Sequence, residues 1–145
     1  MRLQWHADLA APQDRVWEVL AEWERYPDWM PDVSWVRALG PERGEGMRLA
    51  VRTKVLGVPL VTDELHVIAW EPPRRMRIEH LGLVRGPAEW RLEPGPRGTS
   101  FRWTEELTMP PPVLGTIALL LYSPILSWTF RRSIRNLRRL VETKS

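Results

Sequence analysis

From Val113 to Phe130 the chain carries no charged residue, and Arg131-Arg132 follows directly. A segment of that length and composition either crosses a bilayer or is a helix sheltered by its own domain. Gly115, Thr116, Ser123, Pro124, Ser127 and Thr129 dilute the run, while Phe130, Ile134, Leu137 and Val141 continue a helical stripe beyond it. The stripe predicts one helix to about Glu142, buried along its first half and amphipathic later, within one soluble domain. Pro124 removes a backbone donor mid-helix and predicts a kink.

The upstream sequence supplies what such a helix would cover. Leu3, Trp5, Ala7 and Leu9 alternate with polar residues, the period of a half-buried strand. Pro12 then opens a helix over about 12–24, on which Val16, Val19, Leu20 and Trp23 share a face. Tyr26 to Asp32 is a proline-broken turn or second short helix. Six further strands are predicted near 33–40, 46–56, 58–71, 74–82, 86–94 and 98–109, separated by Gly/Pro breaks. Links this short make antiparallel hairpins rather than crossovers. No linker or repeat divides the chain, so 1–145 reads as a single domain.

If Gly82 pairs with Gly86 and Pro94 faces Thr99, three inward rows follow: Met76, Leu92, Phe101; Ile78, Trp90, Trp103; His80, Ala88, Glu105. The opposite face is almost entirely Arg and Glu. Strand 46–56 likewise puts Leu49, Val51, Thr53 and Val55 on one face. Neither face of 58–71 separates cleanly. His80 and Glu105 would stand about two strand spacings apart, roughly 10 Å, which suits a water or ligand group between them rather than direct contact. An isolated buried carboxylate is costly, so a cavity there competes with a plain solvated rim. Trp90 and Trp103 are cavity candidates or simply core; Leu120, Leu121 and Trp128 are candidate lining residues on the helix.

There is no cysteine, and three dispersed histidines do not make a metal site. Phosphate loops, dinucleotide fingerprints and nucleophile elbows are absent, which argues against a nucleotide cofactor. The net charge of +3 is spread over arginines on strands and helix alike, a poor basis for nucleic-acid binding. Arg131, Arg132, Arg135, Arg138 and Arg139 form the one dense basic stretch, compatible with a solvated helix end or a peripheral membrane contact. Met1 to Asp8 lacks the apolar run of a signal peptide, which predicts a cytoplasmic protein.

The order strand, short helices, six strands, long helix resembles the helix-grip fold of the START-like and Bet v 1-like superfamily. Local segments agree: Ala11-Pro-Gln-Asp-Arg-Val-Trp-Glu-Val-Leu20 is similar to that group's first helix and Tyr26-Pro-Asp-Trp-Met-Pro31 to its aromatic-proline turn. Trp70-Glu-Pro-Pro-Arg-Arg75 is similar to its mid-sheet turn, and Leu92 to Thr99 to the hairpin before its last strand. Bacterial polyketide cyclase/dehydrase and lipid-transport-like proteins look most alike. The resemblance implies an α+β domain in which a curved seven-stranded antiparallel sheet wraps the long helix. It also implies a cavity for a lipid, polyketide, quinone or aromatic compound, and transfers no catalytic residue. The leading expectation is therefore a carrier of an apolar small molecule, with Thr53, Ile78, His80, Trp90, Trp103, Glu105, Leu120, Leu121 and Trp128 as ligand-binding candidates. The alternatives are a cyclase or dehydratase using His80 or Glu105, and a lipid-delivery module docking through its basic helix.

Overall fold

The computed structural model describes residues 1–142. Strand β1 (Arg2–Leu9) leads into α1 (Gln13–Ala21), a 3₁₀ turn at Trp23–Arg25 and α2 (Tyr26–Trp29). Then come β2 (Val33–Ala38), β3 (Arg48–Val55), β4 (Val58–Glu71), β5 (Arg75–Leu81), β6 (Arg85–Gly95), β7 (Gly98–Glu106) and α3 (Pro112–Glu142). The strands form one seven-stranded sheet in the order β1-β7-β6-β5-β4-β3-β2, with every neighbouring pair antiparallel. This is the predicted α+β architecture. Pro12 precedes α1 as its cap and its carbonyl accepts from the Arg15 and Val16 amides, so the ring sits where no helical donor is required.

Pro94 faces Thr99 and Trp90 faces Trp103, as the hairpin pattern predicts. The β5–β6 register departs from expectation by two residues: Leu81 pairs with Arg85 and His80 with Gly86, which places Met76 opposite Trp90. A shift of two keeps every side chain on its face, so the inside-outside assignment survives while the rows change. In β4 the pairing slips between Val67 and Ala69, so residues before and after the bulge reverse face. Val61, Asp63, Leu65 and Val67 point inward, and beyond the bulge it is Trp70 that lies opposite inward Met76.

The packed half of the molecule lies where both short helices meet the sheet. The Tyr26 hydroxyl donates to the Leu20 carbonyl (2.8 Å) and the Asn136 side-chain amide to the Trp29 carbonyl (3.1 Å), tying α1, α2 and the end of α3 together. Trp29, Trp90 and Trp103 meet edge-on or tilted at 5.6–6.1 Å between ring centroids. Phe130 joins them 4.6 Å from Trp103 and stacks on Trp5 at 4.0 Å. Such tilted contacts add to the burial energy of large rings.

Helix α3 corrects one expectation. It is continuous from Pro112 to Glu142, but its second half is the buried one: Phe130, Ser133, Leu137 and Val141 are all under 9% exposed. In the first half only Gly115 and Leu119 are buried. Short helices α1 and α2 shelter the C-terminal half together with β1, whereas the N-terminal half stands off the sheet. At Pro124 the Leu120 carbonyl, deprived of its i+4 donor, accepts the Ser123 hydroxyl at 2.8 Å, which keeps that acceptor satisfied.

A cavity between sheet and long helix

The stand-off of α3 leaves a cavity of about 840 Å³. Its floor is the aromatic cluster of Tyr26, Trp90, Trp103 and Phe130; one wall is Leu49, Val51, Thr53 and Val55 of β3 with Val61, Leu65 and Val67 of β4. The roof is α3 through Ala118, Leu119, Tyr122, Ile125 and Leu126. Four of the chain's five methionines, Met30, Met47, Met76 and Met109, line it. That volume falls in the range of small-molecule sites, which are mostly apolar with a few placed polar groups.

Two of the polar lining groups meet directly. His80 Nε2 lies 3.1 Å from Glu105 Oε1, with Glu105 6% exposed. The expected gap between these side chains does not exist. Because His80 lies opposite Gly86 and Glu105 opposite Ala88, only a hydrogen and a methyl group stand between them, and the side chains meet diagonally across β6. Burial alone pulls the His80 pKa down. The hydrogen bond and charge of Glu105, with the charges of Asp63 and Glu79, outweigh it and hold the imidazole above its ordinary value. Protonated, His80 donates to the carboxylate and compensates the buried charge.

Asp32, at the end of the aromatic-proline turn, also lines the cavity. Burial pushes its carboxyl up to about 6, with the Glu105 charge adding to the rise, its own backbone amide opposing it and Lys54 offsetting part. The cavity lining thus carries the carboxyls of Asp32, Asp63, Glu89 and Glu105 with Lys54 and the His80 imidazole among largely apolar walls, groups that can hydrogen-bond a ligand's polar end or exchange protons with it.

Of the residues anticipated from sequence, Thr53, Ile78, His80, Trp90, Trp103 and Glu105 line the cavity, and Trp128 sits at its edge while 56% exposed. Leu120 and Leu121 do not line it; they point outward, 56% and 77% exposed. The roof is instead the stripe Leu119, Tyr122 and Leu126, in phase with Phe130, Ser133 and Leu137. Walking that buried stripe backwards by threes and fours finds it, a signal hidden because the outer face of the same turns is equally apolar. Asp32 lies in a turn, which carries no periodicity to single it out, and of the four lining methionines only Met76 stands in the inward rows that the sequence predicts. Among the described residues no group of three His, Asp or Glu side chains is disposed to hold a metal ion.

Comparison with known proteins agrees with this architecture. Solved structures with the same fold include the Zhui aromatase/cyclase from a Streptomyces species, with TM-score 0.78 and 19% identity over 98% of this chain and 93% of that one. A START superfamily protein from Mycobacterium smegmatis superposes with TM-score 0.75 and 14% identity, covering 97% of both chains. In sequence, an uncharacterized protein of Mycobacterium tuberculosis is 31% identical over 143 residues, spanning 94% of this chain and 82% of that protein. Residues 2–142 match the family described as polyketide cyclase / dehydrase and lipid transport. The seven-stranded sheet closed by a long C-terminal helix is thus the helix-grip fold, and the chain belongs to the polyketide cyclase/dehydrase and lipid-transport family.

Proposed function

We propose that this protein binds an apolar or amphipathic small molecule between sheet and α3 and acts as its carrier or sequestering protein. The observation that carries the reading is the cavity of about 840 Å³ with aromatic floor, largely aliphatic walls and a few polar side chains, among them the hydrogen-bonded His80–Glu105 pair and Asp32. Family membership supports it, since the family's description includes lipid transport. Methionine-rich walls adapt to differently shaped ligands, which suits a lipid, polyketide, quinone or aromatic compound with a hydrogen-bonding end. Native mass spectrometry of protein purified gently from its host tests this. A reproducible adduct of apolar small-molecule mass is expected; its consistent absence, together with failure to bind an apolar fluorescent probe, sinks the proposal.

A second reading, a cyclase or dehydratase, is favoured by the position of the Asp32 carboxyl on the cavity lining, where burial pushes it up to about 6 and the Glu105 charge adds to the rise. Such a group is poised to exchange protons near neutral pH. An Asp32→Asn variant that binds a polyketone thioester but no longer converts it supports the enzyme. Unchanged turnover in both Asp32→Asn and Glu105→Gln removes this mechanism.

A further inference from the structure

The outer side of α3 is as apolar as its inner side for the first half of the helix. Val113, Leu114, Ile117, Leu120, Leu121 and Trp128 are 48–77% exposed and recur at helical spacing. The 18-residue window is hydrophobic enough to pass as a membrane span, mean hydropathy 1.6, yet only 17% of it is buried in the fold. Soluble monomers rarely expose a contiguous stripe of this kind without a use for it.

Two turn tips at the cavity mouth extend the pattern. Leu56 and Leu83, both lining residues, are 72% and 52% exposed. At the β3–β4 tip Leu56 and Gly57 have φ of 52° and 83°, the left-handed pair that hairpins normally fill with Asn-Gly. A leucine there adopts a disfavoured backbone conformation and points its side chain into water, so it serves neither the turn nor the core. Its placement makes sense if this tip meets an apolar medium.

The charge pattern says which medium. From Pro112 to Val141 helix α3 has no acidic residue, and the outer side beyond Trp128 continues as exposed Arg131, Arg132, Arg135 and Arg139. The Arg132 guanidinium lies over the Trp128 ring at 5.4 Å. An apolar stripe ending at a tryptophan that a guanidinium covers, continued by exposed arginines, offers a surface for acyl chains beside cations suited to anionic headgroups. At 1.5 Å per residue the stripe from Val113 to Trp128 is roughly 24 Å long, while the opposite face roofs the cavity and the C-terminal half of the helix is packed against the fold.

We propose that the outer face of α3, with the Leu56 and Leu83 tips, is a docking surface for anionic lipid bilayers, lying in the membrane interface with the cavity mouth turned toward the acyl chains. Docking stands independently of the carrier reading; if both hold, a ligand passes between bilayer and cavity without crossing water.

The test is co-sedimentation of the full chain with phosphatidylcholine vesicles, with and without phosphatidylglycerol, at low and high salt. Binding is expected to require the anionic lipid and to weaken with salt. Arg131→Glu/Arg132→Glu should weaken it at least about 25-fold, from roughly fivefold per lost arginine. Leu56→Asn, which suits the turn better, should keep or raise the melting temperature while lowering vesicle affinity about tenfold or more. That pairing separates docking from a structural role. No binding to either vesicle, or binding equal in all variants, overturns the proposal. So does a dimer in solution that the same substitutions disperse, since the apolar face would then belong to a second copy. Probe binding measured without vesicles reports on the cavity separately.

Discussion

Replacing Glu105 with glutamine keeps the shape of the side chain and deletes its charge, so it isolates what the carboxylate does for His80. In the wild type the pair is joined at 3.1 Å, with side-chain exposures of 20% for His80 and 8% for Glu105. A hydrogen bond of this kind to a charged group is worth about 1.5–3 kcal/mol. Because the folded pKa of His80 lies above its unfolded value, this stabilisation is fully present below about pH 6.5 and fades as the pH rises through the folded pKa. At pH 5.5 Glu105→Gln should therefore lower the melting temperature by roughly 3–12 °C for a chain of this size, and at pH 9 by clearly less. The imidazole proton resonances of His80 give the direct readout. They should titrate above the ordinary histidine value in the wild type and at lower pH in the variant, where burial is opposed only by Asp63 and Glu79. An equal thermal loss at both pH values, or a His80 titration that the substitution leaves unmoved, refutes the reasoning.

The Asp32 carboxyl, pushed up to about 6 by burial, binds its proton more tightly folded than unfolded, so wild-type stability should fall as pH rises from about 4 to above 6. Asp32→Asn removes that loss: urea denaturation should show the variant more stable by up to about 3 kcal/mol at pH 7.5 and indistinguishable at pH 3.5. Trp103 is 4% exposed and touches Trp5, Trp29, Trp90, Phe101 and Phe130, so Trp103→Ala should cost about 3–5 kcal/mol by urea denaturation. Gly86→Ala should also destabilise, because at φ 125° an added Cβ would sit 1.9 Å from the Glu106 carbonyl oxygen; thermal melts measure it.

How much of this was legible in the sequence varies by element, for physical reasons. The one-sided strands β3, β5, β6 and β7 declare their faces because their outer residues are charged, and the β6–β7 register follows from a turn whose Gly95 and Gly98 pair directly. The β5–β6 register does not follow, because the Gly82–Gly86 loop admits two pairings of the same parity that pattern alone cannot tell apart. His80 and Glu105 are direct partners because their side chains reach toward each other over the small Gly86 and Ala88 of β6, a side-chain direction that strand pairing alone does not specify. Strand β4 reads ambiguously because its bulge after Val67 swaps the faces midway. For α3 periodicity identifies the helix but not its buried half: where inner and outer faces are both apolar the pattern carries no phase, and what shelters the C-terminal half is tertiary, the arrival of α1 and α2. Leu120 and Leu121 are misplaced by the same degeneracy.

If the space between sheet and α3 is a binding site, a large side chain placed in its wall must compete with the ligand. An apolar fluorescent probe is titrated into the wild type and into Thr53→Trp, a half-buried β3 wall position where a large ring occupies cavity volume with no core residue removed. Saturable binding near one probe per wild-type chain is expected, with Thr53→Trp folded by circular dichroism but weakened at least about tenfold, the loss of 1.4 kcal/mol or more of apolar contact. Saturable binding that Thr53→Trp leaves unchanged would place the probe outside the cavity, and absence of binding to the wild type would contradict the claim outright.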